Sequence, residues 1–196
     1  MNNLIVNDDD FKRLDDPQVA FKRPAWLTYQ LAEEERIVET KEGTQIARQG
    51  DAIVTGIKGE RWPIPKDKHD GYDFKEENGV TSISKKLALV AVAFANEPMN
   101  VKLSWSDNPL EAKSDDAIVR YGANDFGVVD REIYEKTYAS LKDTILEAKT
   151  GNQEALTNLE GLAKDQKNST ILKNNLANCN ASELTSTIGL ESGRSR

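Results

Sequence analysis

Few side chains here can titrate near neutrality or act as nucleophiles. The chain has one histidine, His69 in the charged stretch KDKHDGY, and one cysteine, Cys179, between two asparagines far along the chain. A His–Cys dyad would have to close that separation, and zinc sites need more converging ligands. His69 reads as a solvated loop residue. Carboxylates are the better supply: Asp51 and Asp116 precede matching AIV segments, and Glu60 and Asp125 lie at hairpin tips or strand starts. Two such acids meeting across a pseudo-twofold axis could work as a pair. The plainer role of an Asp before a strand is to accept backbone N–H bonds in the turn. Arg61 carries the forked guanidinium that suits a carboxylate or another anion. Trp62-Pro63 is a rigid apolar pair, read either as packing or as a pocket wall or interface anchor. With Phe126 beside Asp125, the candidate cleft or interface set is Asp51, Glu60, Arg61, Trp62, Asp116, Asp125 and Phe126. No catalytic residue, metal or cofactor is assigned. GIKGE lacks phosphate-loop and dinucleotide spacing, and there is no nucleophile elbow.

These residues recur because one segment is written twice. DAIVTGIKGERWPI (51–64) matches DAIVRYGANDFGVV (116–129), and RPAWLTYQLAEEERIV (23–38) aligns with KLALVAVAFANEPMNV (86–101). Ala32 meets Ala95, Val38 meets Val101, and after a slip Ala47 meets Ala112. Each copy reads as β-rich. A first strand (Ala25–Leu31, Leu87–Phe94) precedes a second (Arg36–Thr40, Asn100–Ser104). Turn chemistry follows at Gly43, or at Asp107-Asn108-Pro109, then a short third strand and the AIV strand. A hairpin leads to the fifth strand, Trp62–Ile64 or Phe126–Val129, and a short helical or turn segment ends in aromatics. One such unit buries little surface alone, so two copies sharing a core account for the duplication. A cleft between them is the sharper alternative.

The second copy resembles the bacterial and phage PGDYG domain, named for a Pro-Gly-Asp-Tyr-Gly motif. Its motif positions hold Ala123, Asn124, Asp125, Phe126 and Gly127. Asp125 and Gly127 match, Phe126 stands for Tyr, and Ala123-Asn124 replaces Pro-Gly. Asn keeps access to left-handed backbone, which implies that the turn survives. The first copy resembles the other half found in such proteins, so the resemblance covers 23–138. The family's function is unknown, so the resemblance implies a fold and no mechanism.

Outside the repeats, residues 1–22 read as an acidic arm, 75–85 as a linker and 139–196 as a helical extension with a disordered end. Apolar spacing at Ile133, Tyr134, Tyr138, Leu141, Ile145 and Leu146 predicts one amphipathic helix ending near Gly151. Two more follow, with Ser169 as a cap for the last. The expected fold is α+β: two tandem small β-rich repeats packed together, with a C-terminal helical extension. The net charge of −7 disfavours nucleic acid. The longest apolar run, Leu87–Ala95, is too short for a bilayer. One cysteine and the absence of a signal-like start point to the cytoplasm, with secretion as a host-directed effector as the other route. The expected function is a non-enzymatic protein-binding module, a regulator, anti-defence or effector protein. Its partner would be another protein, reached through helices in 139–180, and homodimerisation is compatible. The alternative is a metal-independent hydrolase, or a nucleotide or sugar binder, using a cleft between the repeats.

Overall fold

The structure, a computed structural model, describes residues 4–5, 7–14, 16–40, 43–102 and 108–190. The chain is α+β. It starts with β1 (Leu4–Ile5), α1 (Asp8–Phe11) and β2 (Gln18–Lys22). Seven strands follow: β3 (Leu27–Leu31), β4 (Arg36–Thr40), β5 (Gly43–Ala47), β6 (Ala52–Thr55), β7 (Arg61–Ile64), β8 (Tyr72–Glu77) and β9 (Val80–Lys85), with a 3-10 turn at Lys66–Gly71 before β8. Then come β10 (Leu89–Phe94), β11 (Met99–Val101), β12 (Leu110–Ala112), β13 (Ala117–Gly122) and β14 (Asp125–Val129). The chain continues through α2 (Arg131–Thr137), β15 (Tyr138–Ser140), α3 (Leu141–Lys149), α4 (Gln153–Ala163), α5 (Gln166–Asn178) and α6 (Leu184–Thr187). None of the described helices is long and apolar enough to cross a membrane.

Two compact units divide the chain: a smaller one, Pro24–Lys86, and a larger one, Met1–Arg23 with Leu87–Arg196. The smaller unit holds a five-stranded sheet in the order β7-β6-β3-β9-β8 and the two-stranded ribbon β4-β5. Along β6, Ile53 belongs to a cluster with Ala32, Val38 and Ala47, and the ribbon supplies the last two. Ala52 and Val54, which alternate with Ile53 along β6, join Ile64 and Ile83 among Leu27, Tyr29, Trp62 and Tyr72. Residues 75–85 are not a linker. They lie in the β8–β9 hairpin, turned by Asn78 (φ 51°) and Gly79 (φ 75°). Asn-Gly suits a tight hairpin because both turn residues must take positive φ.

The larger unit holds a five-stranded sheet, β14-β13-β10-β2-β15, and a three-stranded one, β1-β11-β12. Within the stretch 1–22 expected as an arm, Gln18–Lys22 is not loose: β2 is an interior strand, paired antiparallel with both β10 and β15, and Phe21 is fully buried. The helix expected through 133–146 is broken. Tyr138–Ser140 is extended and pairs with Lys22–Ala20, because those residues complete the open edge of β2. Thus α2 and α3 are separate, the latter capped by Ser140, whose hydroxyl accepts the Asp143 N–H. The cap of α5 is Asp165 rather than Ser169, its carboxylate accepting N–H bonds from Lys167 and Asn168. Leu141, Ile145, Leu159, Leu162, Leu172 and Leu176 form one cluster with Phe21 and Ala139 of the sheet. Each such fully buried chain stabilises by roughly 1.5–3 kcal/mol. The helices therefore cover the sheet with their apolar stripes. The second repeat is accordingly no separate domain; it shares its sheet with β2 and β15. Residues 191–196, which include the end 192–196 expected to be disordered, and residues 103–107, where the expected strand Asn100–Ser104 ends and the expected turn at Asp107 begins, lie outside the described residues.

Candidate functional site

Both units run the same path: a strand (β3 or β10), a ribbon (β4-β5 or β11-β12), then a hairpin (β6-β7 or β13-β14) paired to that strand. The register agrees residue by residue. Leu31 pairs with Ala52, and Ala52 with Ile64; Phe94 pairs with Ala117, and Ala117 with Val129. The turn before β6 or β13 is built alike. Asp51 takes the Arg48 N–H on Oδ2 at 2.8 Å and the Lys66 N–H on Oδ1 at 2.9 Å. Asp116 takes the Lys113 N–H on Oδ2 at 2.8 Å. Both carboxylates are buried and each accepts a backbone N–H of its turn through Oδ2, as the plainer reading of these residues holds.

The remaining candidates separate by role. Phe126 is 2% exposed and its ring lies 5.7 Å from that of Phe11, so it is a core residue and offers no surface to a ligand. Asp125 opens β14 opposite Gly122 at a bulge. Glu60 folds back over its own hairpin, accepting the Lys58 N–H at 2.9 Å and filling the space beside Gly56. Trp62 is half-buried opposite Val54. Arg61 is exposed, on the sheet face opposite to Trp62. Glu60, Arg61 and Trp62 are sequence neighbours on one hairpin. His69 is tied down, with Nε2 3.3 Å from the Ile64 carbonyl and its ring 4.9 Å from Phe74. Among the described residues, no three His, Cys, Asp or Glu side chains gather as a metal site.

Two open concavities lie wholly within the smaller unit. One, about 730 Å³, is lined by Glu35, Ile46, Arg48, Asp51, Lys66 and Asp67 among others. The other, about 510 Å³, lies along β3, β6, β7 and the β8–β9 turn, lined by Thr28, Gln30, Thr55, Arg61, Val80 and Thr81 with Tyr29 and Gly79. Arg61 is its single charged residue.

Sequence reasoning missed one cluster. Arg120 grips both carboxylate oxygens of Asp8 through Nε and a terminal nitrogen. Asp8 Oδ1 also accepts the Asn124 N–H at 3.0 Å, while the Asp8 N–H donates to Asn124 Oδ1 at 3.1 Å. Arg120, then the Asn124 N–H, hold the Asp8 carboxyl at about 2. The available signal was the lone Arg120 facing Thr55 in the aligned copies. A second cluster is aromatic. Tyr134 stacks on Tyr138 at 5.1 Å, and the Tyr138 and Tyr121 hydroxyls lie 3.1 Å apart. Burial, then the Tyr121 hydrogen bond, push Tyr138 well above the usual phenol range. Apolar surface is uneven: of the large apolar side chains that remain exposed, Trp26, Leu31, Ile37, Ile46, Ile57, Phe74 and Val80 are in the smaller unit. Ile37 and Ile46 pair directly across the β4-β5 ribbon, 70% and 60% exposed. Comparison with family models, curated proteins and solved structures finds no match for the chain.

Proposed function

We propose that this chain is a protein-binding module: two diverged copies of one β unit, the second extended and covered by helices, the first presenting the contact surface. The observation that carries the reading is the Ile37–Ile46 pair. A directly opposed aliphatic pair on a ribbon, left in water, costs solvation that an interface recovers. Its setting, with Glu39 and Arg48 nearby in sequence, has the make-up of an apolar centre with a polar rim. The helical extension is the weaker contact surface, because its apolar stripes are committed to the sheet and only Leu146 and Ile171 stand out among its described large apolar residues. The PGDYG-like reading of the second copy is supported by its turn. Asn124 takes φ 54°, and a Cβ on Gly127 would stand 3.0 Å from the Tyr121 ring.

The test is capture of partners from a native extract by intact chain and by two surface variants. Removing the helices would strip the cover from Phe21 and Leu89, so point changes are the sounder tool. We expect a stoichiometric partner to be retained by Leu146→Glu/Ile171→Glu and lost by Ile37→Lys/Ile46→Lys, with affinity reduced about tenfold or more. Loss only in the helix variant would move the contact to the extension. No partner sensitive to either change overturns the reading.

A further inference from the structure

The two copies differ in what covers one row of the sheet. In the larger unit the row is Ala91–Arg120–Phe126, three residues directly opposed across β10, β13 and β14. In the smaller unit the same row, by register, is Thr28–Thr55–Arg61. The neighbouring row is covered alike in both. Ala32, Val38, Ala47 and Ile53 form the cluster in one copy, and their counterparts Ala95, Val101, Ala112 and Ile118 lie together in the other. The larger unit's cluster has more members, and two of them, Phe11 and the half-buried Leu14, come from α1 and the residues after it. That N-terminal segment lies over Phe126 and delivers Asp8 to Arg120.

The smaller unit has no such cover among its described residues. Where the larger unit seats α1, it has the open groove of about 510 Å³ that contains Thr28, Thr55 and Arg61. Each copy thus sets one arginine on the same row, one strand apart. Arg120 is neutralised by the chain's own Asp8. Among the described residues Arg61 forms no ion pair, and the residues lining its groove offer hydroxyls and an amide from Thr28, Thr55, Thr81 and Gln30 but no carboxylate. A guanidinium in such surroundings is matched by a carboxylate held by two hydrogen bonds.

We infer that the groove at Arg61 docks a short acidic turn of a partner protein, as the equivalent place in the larger unit docks the Asp8 turn of the chain itself. This rests on the protein-binding reading above and names the chemistry of the partner. The bound acid pairs with Arg61, and its flanking backbone lies along the threonines. The groove differs from its counterpart in lacking the Phe126 ring, so it selects by charge more than by an aromatic anchor.

The probe is a blocked peptide with the sequence of residues 7–14, NDDDFKRL, titrated into the isotope-labelled full chain and followed by amide shifts. A control peptide carries Asn in place of its three Asp residues. We expect saturable shifts at Thr28, Thr55, Arg61 and Val80 with the acidic peptide, and weakening by about tenfold or more with the control. Arg61→Gln gives the same loss. Since Arg61 is exposed, that variant keeps the spectrum of the folded chain. Thr55→Glu, which sets a carboxylate beside Arg61, blocks the site in a second way. Shifts confined to the surroundings of Arg120, equal binding of the control, indifference to Arg61→Gln, or equal binding of N-acetyl-aspartate each overturn the proposal. The two proposals fail separately. A partner captured through Ile37 and Ile46 and indifferent to Arg61→Gln removes the groove and leaves the module; groove binding without any captured partner removes the module reading.

Discussion

Asp8 is a residue whose place in sequence suggested a solvated tail and whose chemistry is that of a clasp. Its carboxyl, held at about 2 against an ordinary 3.8, is more acidic folded than unfolded. A depressed folded value favours the folded state wherever the acid is ionised. The contribution is complete above about pH 4 and is lost as the pH falls toward 2. Thermal melts from pH 7 to pH 2 check this: intact chain should lose stability more steeply below pH 4 than Asp8→Asn. The clasp was illegible in sequence because Asp8 and Arg120 are remote, and one carboxylate in NDDDFKR looks like the next. The turn role of Asp51 and Asp116 was legible, because an Asp one residue before a repeated strand has backbone donors within reach. The core position of Phe126 was not, since the ring that covers it comes from α1.

At the scale of elements, the five repeated strands were readable, because alternation and repetition pointed the same way. The β8–β9 hairpin carried its signal in Asn78-Gly79, but lay beyond the repeat and so looked like a linker. The break at Tyr138–Ser140 was hidden for a different reason: the residues fit a helical stripe, and only the open edge of β2 draws them straight. Asn168 shows how α5 is keyed to the sheet. Its buried amide accepts the Leu89 N–H at 3.2 Å and donates to the Leu87 carbonyl at 3.3 Å. Asn168→Ala leaves both backbone groups without that partner, at a cost of about 1–3 kcal/mol. Chemical denaturation should show a lower midpoint with an unchanged slope.

The whole molecule is organised by an insertion. Phe21 pairs with Leu89, so the chain leaves β2 and re-enters at the neighbouring antiparallel strand, with Pro24–Lys86 between. Among the described residues, the buried clusters of the larger unit are built from its own strands and helices. Replacing residues 24–86 by a short Asn-Gly turn should therefore leave a folded, helix-containing protein with one cooperative transition. Circular dichroism and urea unfolding check this, and loss of cooperative unfolding would refute it. The same arrangement sets an order on synthesis. Strand β2 emerges well before β10 exists to pair with it, and at roughly 5–20 residues per second the wait lasts several seconds. The smaller unit, whose strands pair among themselves, can fold during that interval. For that time β2 is an unpaired strand holding Phe21 in water, so the nascent chain is most exposed to aggregation before the larger sheet closes.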